Sequence, residues 1–127
     1  MINGAHFLLY SKNPDADRAY FRDVLQFESV DAGRGWLIFT LPPAEIAVHP
    51  ASEDATTPNA DDGVVGTALY LMCDDLRATM GKLRSKDVTF SAVEEAPWGT
   101  VTTFPLPSGA KVGLYQPKHP TALKLGR

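Results

Sequence analysis

Short apolar runs over 2–10, 27–30, 36–41 and 45–49 predict strands, in which side chains repeat with a period of two. Between the first two runs the period changes. Ala16, Ala19, Tyr20 and Val24 recur at helical spacing, and Phe21 and Leu25 widen the stripe, so residues 13–25 are predicted helical. Asn13 suits the N-cap, Pro14 the first helical position, and Asp15 and Asp17 the first turn, where a carboxylate meets the positive end of the helix dipole. Gly33 and Gly35 mark one turn and Pro42-Pro43 another. Residues 50–63 are polar, acidic and turn-rich, and they read as a linker or exposed loop.

After that break the order repeats. Residues 67–73 predict a strand, and Asp74 or Asp75 caps a helix carrying Leu76, Met80 and Leu83, with Arg84 and Lys86 near its end. Residues 88–93, 100–106 and 110–116 predict strands, split by Pro97-Trp98-Gly99 and Pro107-Ser108-Gly109. Each half reads strand–helix–strand–strand–strand. Aligning His6 with Ala68 places Asn13-Pro14 on Asp75-Leu76, an offset of 62 (68 − 6 and 75 − 13), and aligning EIAVHP with KVGLYQP places Ala47 on Gly113. A half of this size buries too little surface alone, so the two are expected to share one domain over 1–127. Its parts are module one 1–50, linker 51–66, module two 67–117, and a basic, loose tail 118–127.

Strand parity separates two faces. Phe7, Leu9, Ile46, Val48, Leu69, Leu71, Cys73, Val112 and Leu114 form an apolar face suited to packing under helices. The opposite parity mixes His6, Leu8, Tyr10, Glu45, Ala47, His49, Ala68, Tyr70, Met72, Lys111, Gly113 and Tyr115. Apolar walls with a few polar handles suit a ligand cleft, whereas a half-exposed sheet face or a face covered by another subunit has the same composition. Cys73 reads as a small buried hydrophobe rather than a nucleophile.

Composition narrows the functional classes. The 127 residues include 44% hydrophobic and 21% charged residues, ordinary for a globular chain. No apolar run reaches the roughly 18 residues of a membrane span, and no cationic stretch precedes the first apolar run, so neither a membrane segment nor a secretory signal is expected. A single cysteine excludes an internal disulfide and any CxxC motif, and points to a cytoplasmic setting. The net charge of −3 argues against nucleic acid as a partner. It is unevenly spread: 4 basic and 10 acidic groups in 1–63 give −6, and 8 basic and 5 acidic groups in 64–127 give +3. No GxGxxG, P-loop, GxSxG or HExxH is present.

The element order, the segment HFLLYSKNPDADRAYFRDVLQF, the PWG turn followed by PSGAKVGLYQP, and the place of the acidic linker together resemble the vicinal oxygen chelate superfamily, which includes glyoxalase, extradiol dioxygenases, fosfomycin-resistance transferases and bleomycin-resistance proteins. The likeness covers residues 2–117. It implies an α+β fold in which two βαβββ modules form a curled mixed sheet around a cleft, commonly in a homodimer. Metalloenzymes of that superfamily carry ligands on the first and last strand of each module. His6 matches the first position, whereas Ala47, Ala68 and Gly113 fall on the other three and lack a donor side chain. His49 lies two residues beyond Ala47, and Glu45 is about 13 Å from His49 by strand rise, so they do not converge readily with His6. A catalytic divalent site needs about three protein ligands. No metal and no cofactor is therefore expected.

These features lead to an expected metal-free homodimer that binds a small, partly aromatic molecule, resembling the bleomycin-resistance branch. The expected ligand-binding residues are His6, Leu8, His49, Tyr70, Met72, Trp98 and Tyr115. The alternative within the same superfamily is a divalent-metal-dependent lyase, isomerase or dioxygenase. A third reading is a catalytically silent dimerisation domain whose mixed face is covered by its partner.

Overall fold

The computed structural model describes residues 1, 3–48, 50, 66–123 and 125. His49 and residues 51–65, nearly all of the expected linker, lie outside the described residues. In chain order the elements are α1 (Pro14–Asp23), β1 (Ser29–Asp31), β2 (Leu37–Phe39), β3 (Tyr70–Met72), α2 (Leu76–Arg84), β4 (Glu94–Ala96), β5 (Gly99–Pro105) and β6 (Lys111–Pro117). This is a small α+β structure with two sheets. The chain forms two compact units, Met1–Thr40 with Pro105–Ala110, and Leu41–Phe104 with Lys111–Arg127.

In the first unit, Asn13 caps α1 by accepting the Ala16 N–H at 3.4 Å, with Pro14 in the first turn. The buried Phe21 ring meets Phe27 and Phe39 at 5.9 and 5.6 Å. β1 and β2 pair antiparallel, Val30 opposite Ile38. Their turn is clamped by the Asp31 carboxylate, which accepts N–H groups from Gly33 at 2.7 Å and Gly35 at 3.2 Å. Asp17 is buried on α1, and its two oxygens accept the Ser108 N–H at 3.0 Å and the Ser108 hydroxyl at 2.6 Å. Ser108 sits in a tight turn closed by Leu106 N–H on Ala110 O at 2.7 Å, with Gly109 at φ +94°. A buried carboxylate thus joins residues 91 positions apart.

The expected strands 2–10 and 45–49 are corrected. Among the described residues neither stretch joins a ladder. The inward face assigned to them is not buried: Phe7 and Leu9 are 43% and 49% exposed, and Ile46 and Val48 81% and 94%. Alternation prepares a segment to be a strand, but a strand exists only where a neighbour supplies the ladder. The first module therefore contributes one helix and a two-stranded sheet, and the expected strongly curled sheet of two modules is not formed by the described residues.

The second unit contains a complete βαβββ order. Its sheet runs β3-β6-β5-β4, with β3 parallel to β6 and β4 antiparallel to β5. A parallel pair needs a crossover between its strands, and α2 lies in that connection. Leu76 and Met80 of α2 and Val112 and Leu114 of β6 are all nearly sealed from solvent, whereas Leu69, Leu71 and Cys73 of the expected inward face are half-buried, and Gly113 and Tyr115 of the opposite parity are buried too. Phe104 is fully buried against Phe90 at 6.0 Å. Asp75, not Asp74, caps α2, accepting the Ala78 N–H at 3.1 Å, and the Gln116 side-chain oxygen accepts the Leu76 N–H at 2.9 Å. The strand expected over 88–93 is displaced. The ladder runs over 94–96, where the two-residue Pro97-Trp98 turn sets the register Ala96 opposite Gly99.

Both helices are followed by a left-handed residue, Gln26 at φ +61° and Asp87 at φ +65°. Their separation (87 − 26 = 61) almost repeats the cap separation (75 − 13 = 62). No helix among the described residues is long and apolar enough to cross a membrane.

Removing the buried acceptor should break the first unit's long-range tie. Asp17→Ala leaves the Ser108 donors unpaired and is expected to cost about 1–3 kcal/mol in urea unfolding, while Asp15→Ala, on the exposed side of the same helix, changes stability by less than about 0.5 kcal/mol.

Candidate functional site

The parallel register of β3 and β6 sets Tyr70 opposite Gly113. Gly113 has no side chain, and the Tyr70 ring lies where one would stand: a Cβ there would be 2.8 Å from Tyr70 Cγ and closer still to Cδ1 and Cε1. Two more rings complete the cluster. Tyr70 meets Tyr115 at 5.9 Å and 86° and Trp98 at 6.3 Å and 84°, and Trp98 meets Tyr115 at 5.5 Å and 77°. Each contact is edge-to-face, the arrangement in which a positive ring edge meets a negative face, worth about 0.5–1.5 kcal/mol beyond burial. Tyr115 is the buried member at 9% exposure, whereas Tyr70 and Trp98 are 45% and 44% exposed. Met72 lies opposite Tyr115 in the ladder, half-buried.

Trp98 is held by its neighbours. Its carbonyl accepts the Lys118 N–H at 2.9 Å, and a Cβ at Gly99 would lie only 2.7 Å from the Gln116 carbonyl oxygen, so the turn closes tightly on β6. Residue 119 adds a polar contact that the sequence did not point to. The Tyr115 hydroxyl lies 3.2 Å from His119 Nε2, and His119 Nδ1 lies 2.8 Å from the Pro120 carbonyl oxygen. A carbonyl only accepts, so Nδ1 carries the hydrogen and Nε2 accepts from Tyr115. Burial pushes the Tyr115 phenol above its ordinary range, and the Glu45 carboxylate adds to this. The expected loose tail is therefore corrected over its first residues. Lys118 pairs with Glu95 at 2.8 Å, His119 bonds Tyr115, and Glu45 accepts the Ala122 N–H at 2.8 Å. Pro117 and Pro120 stiffen this segment, and together with His119 four residues after Tyr115 they are the signal available in the sequence.

A cavity of about 330 Å³ opens beside Tyr70 and Trp98, lined also by Ser91, Glu94, Thr102 and Thr103. Its hydroxyls form a closed set. The Thr102 hydroxyl donates to the Ser91 carbonyl at 2.8 Å, and the Thr103 hydroxyl and N–H donate to Ser91 Oγ at 3.1 and 2.9 Å. Ser91 Oγ, 3.2 Å from Thr102 Oγ1, then donates to it. In the first unit a second cavity of similar volume is bordered by Tyr10, Lys12 and Gly109.

Of the expected ligand-binding residues, Tyr70, Met72, Trp98 and Tyr115 share the second unit, the three aromatic ones in one cluster. His6 and Leu8 belong to the first unit and are exposed. His49 lies outside the described residues. Cys73 is half-buried, its thiol 3.6 Å from the Tyr115 carbonyl oxygen. Burial pushes its pKa up; the Thr79 hydroxyl opposes this and the Asp74 and Asp75 carboxylates add to it, an environment opposite to that of a thiolate nucleophile. No group of three His, Cys, Asp or Glu side chains placed to hold a metal ion occurs among the described residues.

No protein-family model matches the sequence, and no curated protein matches it. Solved structures do. TnmS3, an antibiotic binding protein from Streptomyces sp. CB03234, matches over 93% of this chain and 100% of its own, at 22% identity and a TM-score of 0.58. Lactoylglutathione lyase from Agrobacterium tumefaciens matches over 85% and 88%, at 20% identity and a TM-score of 0.58. A glyoxalase/bleomycin resistance protein/dioxygenase superfamily member from Sphaerobacter thermophilus matches over 91% and 98%, at 22% identity and a TM-score of 0.53. The chain has the fold of the glyoxalase/bleomycin resistance/dioxygenase superfamily. On this fold the positions expected to hold a metal do not fit one here. Ala47, Ala68 and Gly113 offer no donor, and the Tyr70 ring fills the space of a side chain at 113.

Gly113→Ala tests how tightly the ring packs. The added methyl should displace Tyr70, lowering stability by about 1–3 kcal/mol and altering the near-ultraviolet aromatic dichroism, while Gly113→Ala combined with Tyr70→Ala recovers part of the loss.

Proposed function

We propose that this protein binds a small, partly aromatic molecule non-covalently in the cavity beside Tyr70 and Trp98, without a bound metal. The observation that carries this reading is the packing of Tyr70 onto Gly113. Glycine at 113 leaves no donor at an expected ligand position, and the ring it admits builds an aromatic wall beside a cavity of about 330 Å³, the lower end of the size range of small-molecule sites. The structural likeness to TnmS3, itself an antibiotic binding protein, supports a binding role. The likeness to lactoylglutathione lyase supports the fold equally but brings no ligand set with it, because three of the four expected positions are Ala47, Ala68 and Gly113. The reading includes a cytoplasmic setting and a homodimer. In support of the dimer, β3 has a strand partner on one side only among the described residues, and residues 7–10 carry four exposed apolar or aromatic side chains. Such unpaired edges and apolar segments are what a second copy covers.

In a Trp36→Phe background Trp98 is the single tryptophan, and its fluorescence reports the cavity. Neutral 2-naphthylmethanol should quench it saturably, and Tyr70→Ala should weaken that binding about fivefold or more with the fold retained by circular dichroism. Absence of saturable quenching overturns the binding role. Sedimentation equilibrium should return twice the 13.8 kDa chain mass; a monomer at micromolar concentration removes the dimer from the reading.

A further inference from the structure

Resting on the binding role just proposed, the chemistry of the cavity lining specifies the charge of its ligand. Glu94 and Glu95 are neighbours on β4 with different surroundings. Glu95 accepts from the Lys118 ammonium at 2.8 Å and the Thr100 hydroxyl at 2.9 Å, which hold its carboxyl below the usual range. Glu94 lines the cavity, and no described side chain pairs with it. No lysine or arginine lines the cavity.

The hydroxyl groups reinforce the same polarity. Ser91, Thr102 and Thr103 spend their hydrogens on one another and on the Ser91 carbonyl; Ser91 Oγ also accepts twice and Thr102 is buried, so what remains to a ligand is the lone pairs of Thr103 Oγ1. The exposed rings of Tyr70 and Trp98 present electron-rich faces. The uncommitted side-chain donors of the lining are the Tyr70 hydroxyl and the Trp98 indole N–H, both neutral groups. An anionic ligand would meet Glu94 with no cation to offset it. A protonated amine finds a carboxylate, the Thr103 hydroxyl oxygen and aromatic faces in one lining.

We infer that the cavity takes an aromatic amine in its cationic form, the ammonium set against Glu94 and the Thr103 hydroxyl oxygen and the ring against Tyr70 and Trp98. A carboxylate contact and a ring-face contact, both partly solvated, add up to about a tenfold gain over an uncharged analogue.

Three probes of one shape test this on the full chain carrying Trp36→Phe: 2-naphthylmethylammonium, 2-naphthylmethanol and 2-naphthoate, titrated against Trp98 fluorescence at pH 7. The ammonium is expected to bind about tenfold more tightly than the alcohol, the carboxylate more weakly than either, and the preference to shrink with added salt. Glu94→Gln should bring the ammonium to the affinity of the alcohol and leave the alcohol unchanged, whereas Glu95→Gln should leave the preference intact. If the alcohol binds saturably and the ammonium binds no better, or if the preference survives Glu94→Gln, the cationic class is wrong and the binding role stands. If none of the three quenches Trp98 saturably, the site itself is wrong.

Discussion

A tyrosine ring resting on a glycine organises the second unit. Parallel pairing of β3 with β6 sets Tyr70 opposite Gly113, and only the absence of a Cβ lets the ring come so close to the strand. From that position Tyr70 meets Tyr115 and Trp98 edge-on, and the three rings brace one another in a triangle. Tyr115, buried beneath them, then needs a partner for its hydroxyl, because an unpaired buried donor costs about 1–3 kcal/mol. His119 provides it, and the first residues of the tail are drawn into the structure as a result. The cavity wall and the hold on the tail's first residues follow from this contact.

The first unit depends on a different kind of tie. Its aromatic cluster is small, with Phe21 touching Phe27 and Phe39, and its sheet has two strands. A two-stranded sheet is marginal alone. The buried Asp17 carboxylate compensates by holding the Ser108 turn through two hydrogen bonds, so a segment from late in the chain closes a unit built mainly from its beginning. Arg18 over Trp36 at 4.7 Å covers part of the hairpin that would otherwise be open.

Fold and chemistry are separable here. The fold is shared with an antibiotic binding protein and with a lyase at the same TM-score, so the scaffold does not choose between binding and catalysis. The proposed binding role rests on side chains instead: Tyr70, Trp98 and Glu94 line one cavity.

Local physics was legible along the chain. Asn13 and Asp75 cap their helices, Pro14 opens the first, and Val112 and Leu114 face inward, because capping and side-chain parity depend on residues only a few positions apart. Parity also selected Tyr70, Met72 and Tyr115 for one face, and the PWG turn supplied Trp98. Non-local pairing lay beyond the sequence. The apolar runs at 2–10 and 45–48 read as strands as β6 does, yet these stretches join no ladder among the described residues, since a ladder needs a neighbour that a local pattern does not encode. The same holds for His119 on Tyr115 and Asp17 on Ser108. The sequence determined which segments were helical and which side chains faced together; the tertiary structure alone decided which strands met, and so placed a ring over Gly113.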